Sequence, residues 1–143
     1  MLDHTEIITY FAIKYEGDWD KIYEAAHNHE EEYTEEDVKN AIASVKSKIV
    51  TIFDDEYPKQ LIHTFKPPFV LFYYGDISII SNYKRNLSVV GSRDTTEYGV
   101  TSTVNIIRGL KDIVIVSGMA RGIDTVAHHA AIDANLNTCG VLG

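Results

Sequence analysis

Two stretches carry the residues with chemistry to offer. They are Gly91-Ser92-Arg93 and Ser117-Gly118-Met119-Ala120-Arg121-Gly122-Ile123-Asp124-Thr125-Val126-Ala127-His128. Each puts glycine, a hydroxyl and a guanidinium into a few consecutive positions, and that combination suits phosphate. Glycine tolerates positive φ and lets a backbone approach a ligand closely. Arginine supplies a permanent charge on a planar fork that matches phosphate oxygens. Each stretch also follows an apolar, β-rich run (Leu87 to Val90, and Ile113 to Val116) and precedes helix-compatible sequence. A strand, a glycine turn and a helix N-terminus together present unbonded N–H groups and the positive end of a helix dipole to an anion. Either stretch by itself also reads as an ordinary turn with a solvated arginine. The pair is more specific, because both repeat the order strand, glycine, hydroxyl, arginine, helix. Asp124 and His128, spaced i, i+4, share a helix face. They read either as an acid–base pair, with Ser92 or Ser117 as nucleophile, or as structural support in which Asp124 complements the helix start and orients Arg121.

The elements that must position these turns follow from the spacing. Strand 87–91, a helix over about 98–110, strand 113–117, a helix over 124–135 and strand 138–142 make βαβαβ, half of a doubly wound parallel sheet. Successive parallel strands of such a unit bring their turns side by side at the carboxyl ends of the strands, where open α/β sheets bind ligands. The full G-x-G-x-x-G pattern is missing and no acid ends the second strand, so no dinucleotide cofactor is expected. Two earlier strand-like runs, 49–53 and 69–74, predict a sheet extended on its N-terminal side. Tyr73 and Tyr74 in the second of them could stack on bases, but neighbours on a strand face opposite ways, so at most one serves a given surface.

Residues 1–47 read as a small helical domain, of a size seen in SAM-like and helix-hairpin modules, preceding a second domain over 48–143. Asp3 caps a first helix that carries Ile7, Ile8, Phe11 and Ala12, and Gly17 stops it. Asp18 caps a second, with Trp19, Ile22, Tyr23 and Ala26. Thr34 and Asp37 form a capping-box-like start to a third, with Val38, Ala41, Ile42 and Val45 as its apolar stripe.

The net charge of −8 over 143 residues is unevenly placed: residues 1–60 carry 15 acids and 6 bases, residues 61–143 carry 6 acids and 7 bases. Any polyanion must therefore be held by a focused site and not by a broad basic face. Glu30-Glu31-Glu32 and Glu35-Glu36-Asp37 repel phosphate and argue against DNA binding by the helical part. His27 and His29, two apart on a helix, do not face each other, so no metal site is expected. The single Cys139, in an apolar strand-like run, is expected to be a buried, inert thiol. No run approaches the roughly 20 apolar residues of a membrane span, and no secretion signal is read at the start, so a cytoplasmic protein is expected.

Gly91-Ser92-Arg93, the following Tyr98-Gly99, and Ser117-Gly118-x-Ala120-Arg121-Gly122-Ile123-Asp124-x-x-Ala127-His128 together resemble the signature of the DNA processing protein A (DprA, or Smf) family. Tyr57-Pro58-x-x-Leu61 and Pro67-Pro68 before Leu71-Phe72-Tyr73-Tyr74-Gly75-Asp76 match the opening segment of the same family. The resemblance covers about residues 48 to 143. Lys66 departs from it, standing where the family usually has an acid. The resemblance implies a Rossmann-like α/β domain that is incomplete in this chain, which would break off mid-motif at Val141-Leu142-Gly143. It implies a non-enzymatic binder of single-stranded DNA that protects incoming strands in natural transformation, loads the RecA recombinase onto them and acts as a dimer. Carried over residue by residue, the phosphate-holding group is Gly91, Ser92, Arg93, Ser117, Gly118, Arg121 and Gly122, with Asp124 and His128 in support and no catalytic residue, metal or cofactor. The alternative is a nucleotide-processing hydrolase of the lysine-decarboxylase-like phosphoribohydrolase type, which shares the glycine-turn Rossmann half.

Overall fold

The computed structural model describes residues 2–28 and 32–143, with the backbone alone at Tyr83. His29, Glu30 and Glu31 lie outside the described residues. The chain divides into two compact units, Met1–Ser81 and Asn82–Gly143.

In the first unit, local chemistry sets the helix ends. The Asp3 side chain accepts from the Glu6 amide (2.8 Å) and the Glu6 carboxylate accepts from the Asp3 amide (2.9 Å), a capping box that opens α1, His4–Lys14. The Thr5 hydroxyl and the Glu6 amide hold the Asp3 carboxyl below its ordinary value. The chain leaves α1 through left-handed backbone at Glu16 and Gly17. The Asp18 carboxylate accepts from the Lys21 amide (3.2 Å) at the start of α2, Trp19–Asn28. Thr34 and Asp37 form the expected box before α3, Glu35–Ser44. Ile8, Phe11, Ala12, Ile22 and Ala25 make the buried core.

Phe69 and Val70 pack against that same core. The unit therefore runs past the boundary at residue 47 and takes in two strands, β1 (Lys48–Thr51) and β2 (Val70–Tyr73). They do not extend a parallel sheet as expected. They pair antiparallel with each other, Lys48 opposite Tyr73 and Thr51 opposite Val70. The reason lies in the paired prolines. The Trp19 indole donates to the Pro67 carbonyl (2.9 Å), and the buried Tyr57 hydroxyl donates to the Pro68 carbonyl (2.7 Å). Those two bonds anchor the returning chain where β2 meets β1. Beside them Lys66, the departure from the family pattern, pairs with Asp20 (2.8 Å) and lies over the Trp19 ring (5.4 Å).

The second unit has the expected βαβαβ order: β3 (Asn86–Ser88), α4 (Glu97–Arg108), β4 (Val114–Ser117), α5 (Ile123–Asp133) and β5 (Thr138–Gly140). All three strands are parallel in the order β3-β4-β5, with Leu87 opposite Ile115 and Val116 opposite Cys139. Ile107 of α4, Ile115 of β4 and Ala127, Ala130 and Ala131 of α5 form the core, with Val89, Val104 and Leu136 around it. The three alanines on one face of α5 let α4 and β4 pack closely. Thr96 caps α4, its hydroxyl accepting from the Gly99 amide (3.1 Å). Cys139 is half-buried, and burial pushes its thiol up, away from the reactive thiolate.

Candidate nucleic-acid interface

The turns after β3 and β4 are locked to each other. The Ile123 amide donates to the Ser92 carbonyl (3.1 Å), and Arg121 Nη2 pairs with Asp94 Oδ1 at 2.9 Å. Gly122 lies flat against the other turn. A Cβ there would collide with the Ser92 carbonyl and lie 2.7 Å from Arg93 Cα. Gly91 meets α5 in the same way, since a Cβ would sit 2.7 Å from Ile123 Cβ. Gly122 also has φ 91°, which side chains rarely adopt. Gly118 does not take positive φ as expected. Its neighbour Met119 does (φ 58°), and Gly118 is instead needed for space, a Cβ lying 2.9 Å from Asp124 Oδ2.

The remaining site residues separate into those that build the turns and those that face solvent. Ser117 is buried and its hydroxyl donates to the Val89 carbonyl (2.7 Å), tying β4 to the chain leaving β3. The Ser92 hydroxyl donates to the Asp94 carbonyl (2.8 Å) and accepts from the Asp94 amide (3.1 Å). Both serine protons are thus used inside the protein, which differs from the expectation that they grip a ligand. Asp124 is buried and accepts from the Gly118 amide (3.2 Å). His128 Nδ1 meets Thr138 Oγ1 at 2.6 Å, and because that hydroxyl donates to the Ile115 carbonyl (3.0 Å), the ring nitrogen must donate to it. Asp124 therefore braces the turn at Gly118 and His128 ties α5 to β5, while Arg121 is held by Asp94 and not by Asp124 as one expectation had it.

Arg93 and Arg121 are exposed, and no acid pairs with Arg93 among the described residues. The first-turn amides of Ile123 and Thr125 are bonded, to the Ser92 and Ala120 carbonyls, so the α5 N-terminus is less open than the sequence implied. By contrast, no bond from the amides of Met119, Ala120, Arg121 and Gly122 is found among the described residues. A run of backbone donors beside the left-handed Met119, with two exposed arginines in the same pair of turns, is an arrangement suited to an anion. Asp94 was missed by sequence reasoning, since its partner is 27 residues away and no spacing rule joins them.

If Ser117 holds the strands and not a ligand, Ser117→Ala should lower stability by about 1–2 kcal/mol by orphaning the Val89 carbonyl. It should leave the salt dependence of any oligo-dT binding unchanged. Chemical denaturation together with oligo-dT titration checks both halves.

A parallel β3-β4-β5 half-sheet with two interlocked turns at the carboxyl ends of its strands defines a Rossmann-like class. The chain belongs to the DNA recombination-mediator protein A family, whose model matches residues 48–143. It is 42% identical over 94 residues to the DNA processing protein DprA of Streptococcus pneumoniae, covering 65% of this chain and 33% of the relative. It is 38% identical over 95 residues to DprA of Bacillus subtilis, covering 65% and 32%. It is 39% identical over 89 residues to the protein Smf of Escherichia coli, covering 61% and 23%. The X-ray structure of the S. pneumoniae DprA superposes with a TM-score of 0.66 at 27% identity, over 99% of this chain and 53% of that one. The matched segments thus cover a third or less of these curated relatives, and the whole chain spans about half of the solved S. pneumoniae protein. No helix among the described residues is long and apolar enough to cross a membrane.

Proposed function

We propose that this chain binds single-stranded DNA through its backbone phosphates, without catalysis, as part of DNA processing in transformation. The observation that carries the reading is the pair of interlocked turns, which present Arg93, Arg121 and the unbonded amides of 119–122 together. Arginines would neutralise phosphate and amides would grip its oxygens, so little base preference follows. Family membership supports the same substrate. Protection of incoming strands, loading of the RecA recombinase and action as a dimer belong to the same proposal and rest on the resemblance of the sequence motifs alone.

The test is a titration with oligo-dT and with AMP, following binding and release of free base together. Saturable binding of the oligonucleotide, weakened by salt and without base release, is the expected result. Release of adenine from AMP would replace this reading with the hydrolase alternative.

A further inference from the structure

We propose that Asp94 is a resident competitor for the phosphate that Arg121 would take, and so sets the affinity of the site. This rests on the reading of the two turns as a DNA-phosphate site. Arg121 Nη2 donates to Asp94 Oδ1 at 2.9 Å, so the carboxylate takes up part of the guanidinium fork that a phosphate would use. The two side chains are 75% and 89% exposed, so no burial holds the pair together. An ion pair of that kind is weak and exchanges readily with an incoming anion.

The carboxylate is nevertheless delivered by a rigid support. The Ser92 hydroxyl both donates to the Asp94 carbonyl and accepts from its amide, so residue 94 is pinned within the first turn and aimed at the second. The two arginines are therefore unequal. Arg93 has no acid on it among the described residues and can take a phosphate directly. Arg121 already has Nη2 on Asp94, so a phosphate there either displaces that carboxylate or shares the guanidinium with it, and in both cases meets it as a like charge. An aspartate there weakens the grip on any one phosphate while leaving the turns intact, which suits a protein that must hand its strand on.

The experiment compares oligo-dT affinity of the wild type with Asp94→Asn, Arg121→Ala, Arg93→Ala and the Asp94→Asn/Arg121→Ala double variant, at 50 and 200 mM salt. Asp94→Asn should bind about three- to five-fold more tightly at the lower salt. Most of that gain should vanish when Arg121 is already alanine, and it should shrink at the higher salt as screening weakens the resident pair. Arg93→Ala should weaken binding more than Arg121→Ala. Because both partners are exposed, Asp94→Asn should melt with the wild type, and a thermal scan checks this. If both arginine variants bind weakly while Asp94→Asn binds like the parent, the DNA site stands and the competitor role is overturned. An equal gain from Asp94→Asn with and without Arg121 also overturns it, since the effect would then be only general charge. If neither arginine matters, the DNA reading itself fails and the competitor role falls with it.

Discussion

Gly122→Ala should destabilise the second unit by about 3 kcal/mol or more. Two costs add at this residue. At φ 91° and ψ −134° the backbone is in a region that glycine alone adopts readily, and an L side chain there meets strain of roughly 1–3 kcal/mol. The new methyl would also stand 2.8 Å from the Arg93 carbonyl oxygen and closer still to that of Ser92. Those are backbone atoms and cannot swing aside, so the turns must part, at the further 1–3 kcal/mol typical of overpacking. Gly17 provides the control. Its φ is 80°, yet nothing lies within 4 Å of where its Cβ would be, so Gly17→Ala meets positive-φ strain without any collision and should cost less. Denaturant midpoints of both variants separate the two terms. Equal losses would mean that the turns are not pressed together as described.

The second large effect falls on binding and not on folding. Arg93→Ala/Arg121→Ala should lower oligo-dT affinity by about a hundred-fold at 100 mM salt, or about 3 kcal/mol, the worth of two charge-assisted phosphate contacts. It should also flatten the plot of log affinity against log salt by about 0.7 for each contact removed from a single strand. Both side chains are exposed, so the variant should keep the wild-type melting temperature. Unchanged affinity and slope would place the DNA site elsewhere.

What could be read from the sequence was local. The capping boxes at Asp3 and Thr34 need only residues three apart, and each helix starts where they place it. The βαβαβ order follows from apolar runs and glycine turns that repeat within about 30 residues, and the parallel trio has it. What stayed hidden was set by distant partners. Strands 48–51 and 70–73 have no mark of their own that says they pair with each other. That choice is made by Trp19 and Tyr57 reaching the proline carbonyls. The role of Ser117 was hidden for the same reason, because its acceptor belongs to residue 89. Glycine was legible as a need for room, but not which kind: Gly91 and Gly118 need space, Gly122 needs both space and positive φ, and the left-handed turn beside Gly118 falls to a methionine.

The bond from the Ile123 amide to the Ser92 carbonyl has a consequence for how the unit breathes. The leading amide of a helix ordinarily has no partner and trades its hydrogen with water almost at once. Here that amide is shielded by a carbonyl from a different loop, so deuterium enters it only when the loops separate. One proton, at the head of α5, thus keeps time for the assembly and disassembly of the whole crevice. A bound strand that holds the crevice shut would slow that clock.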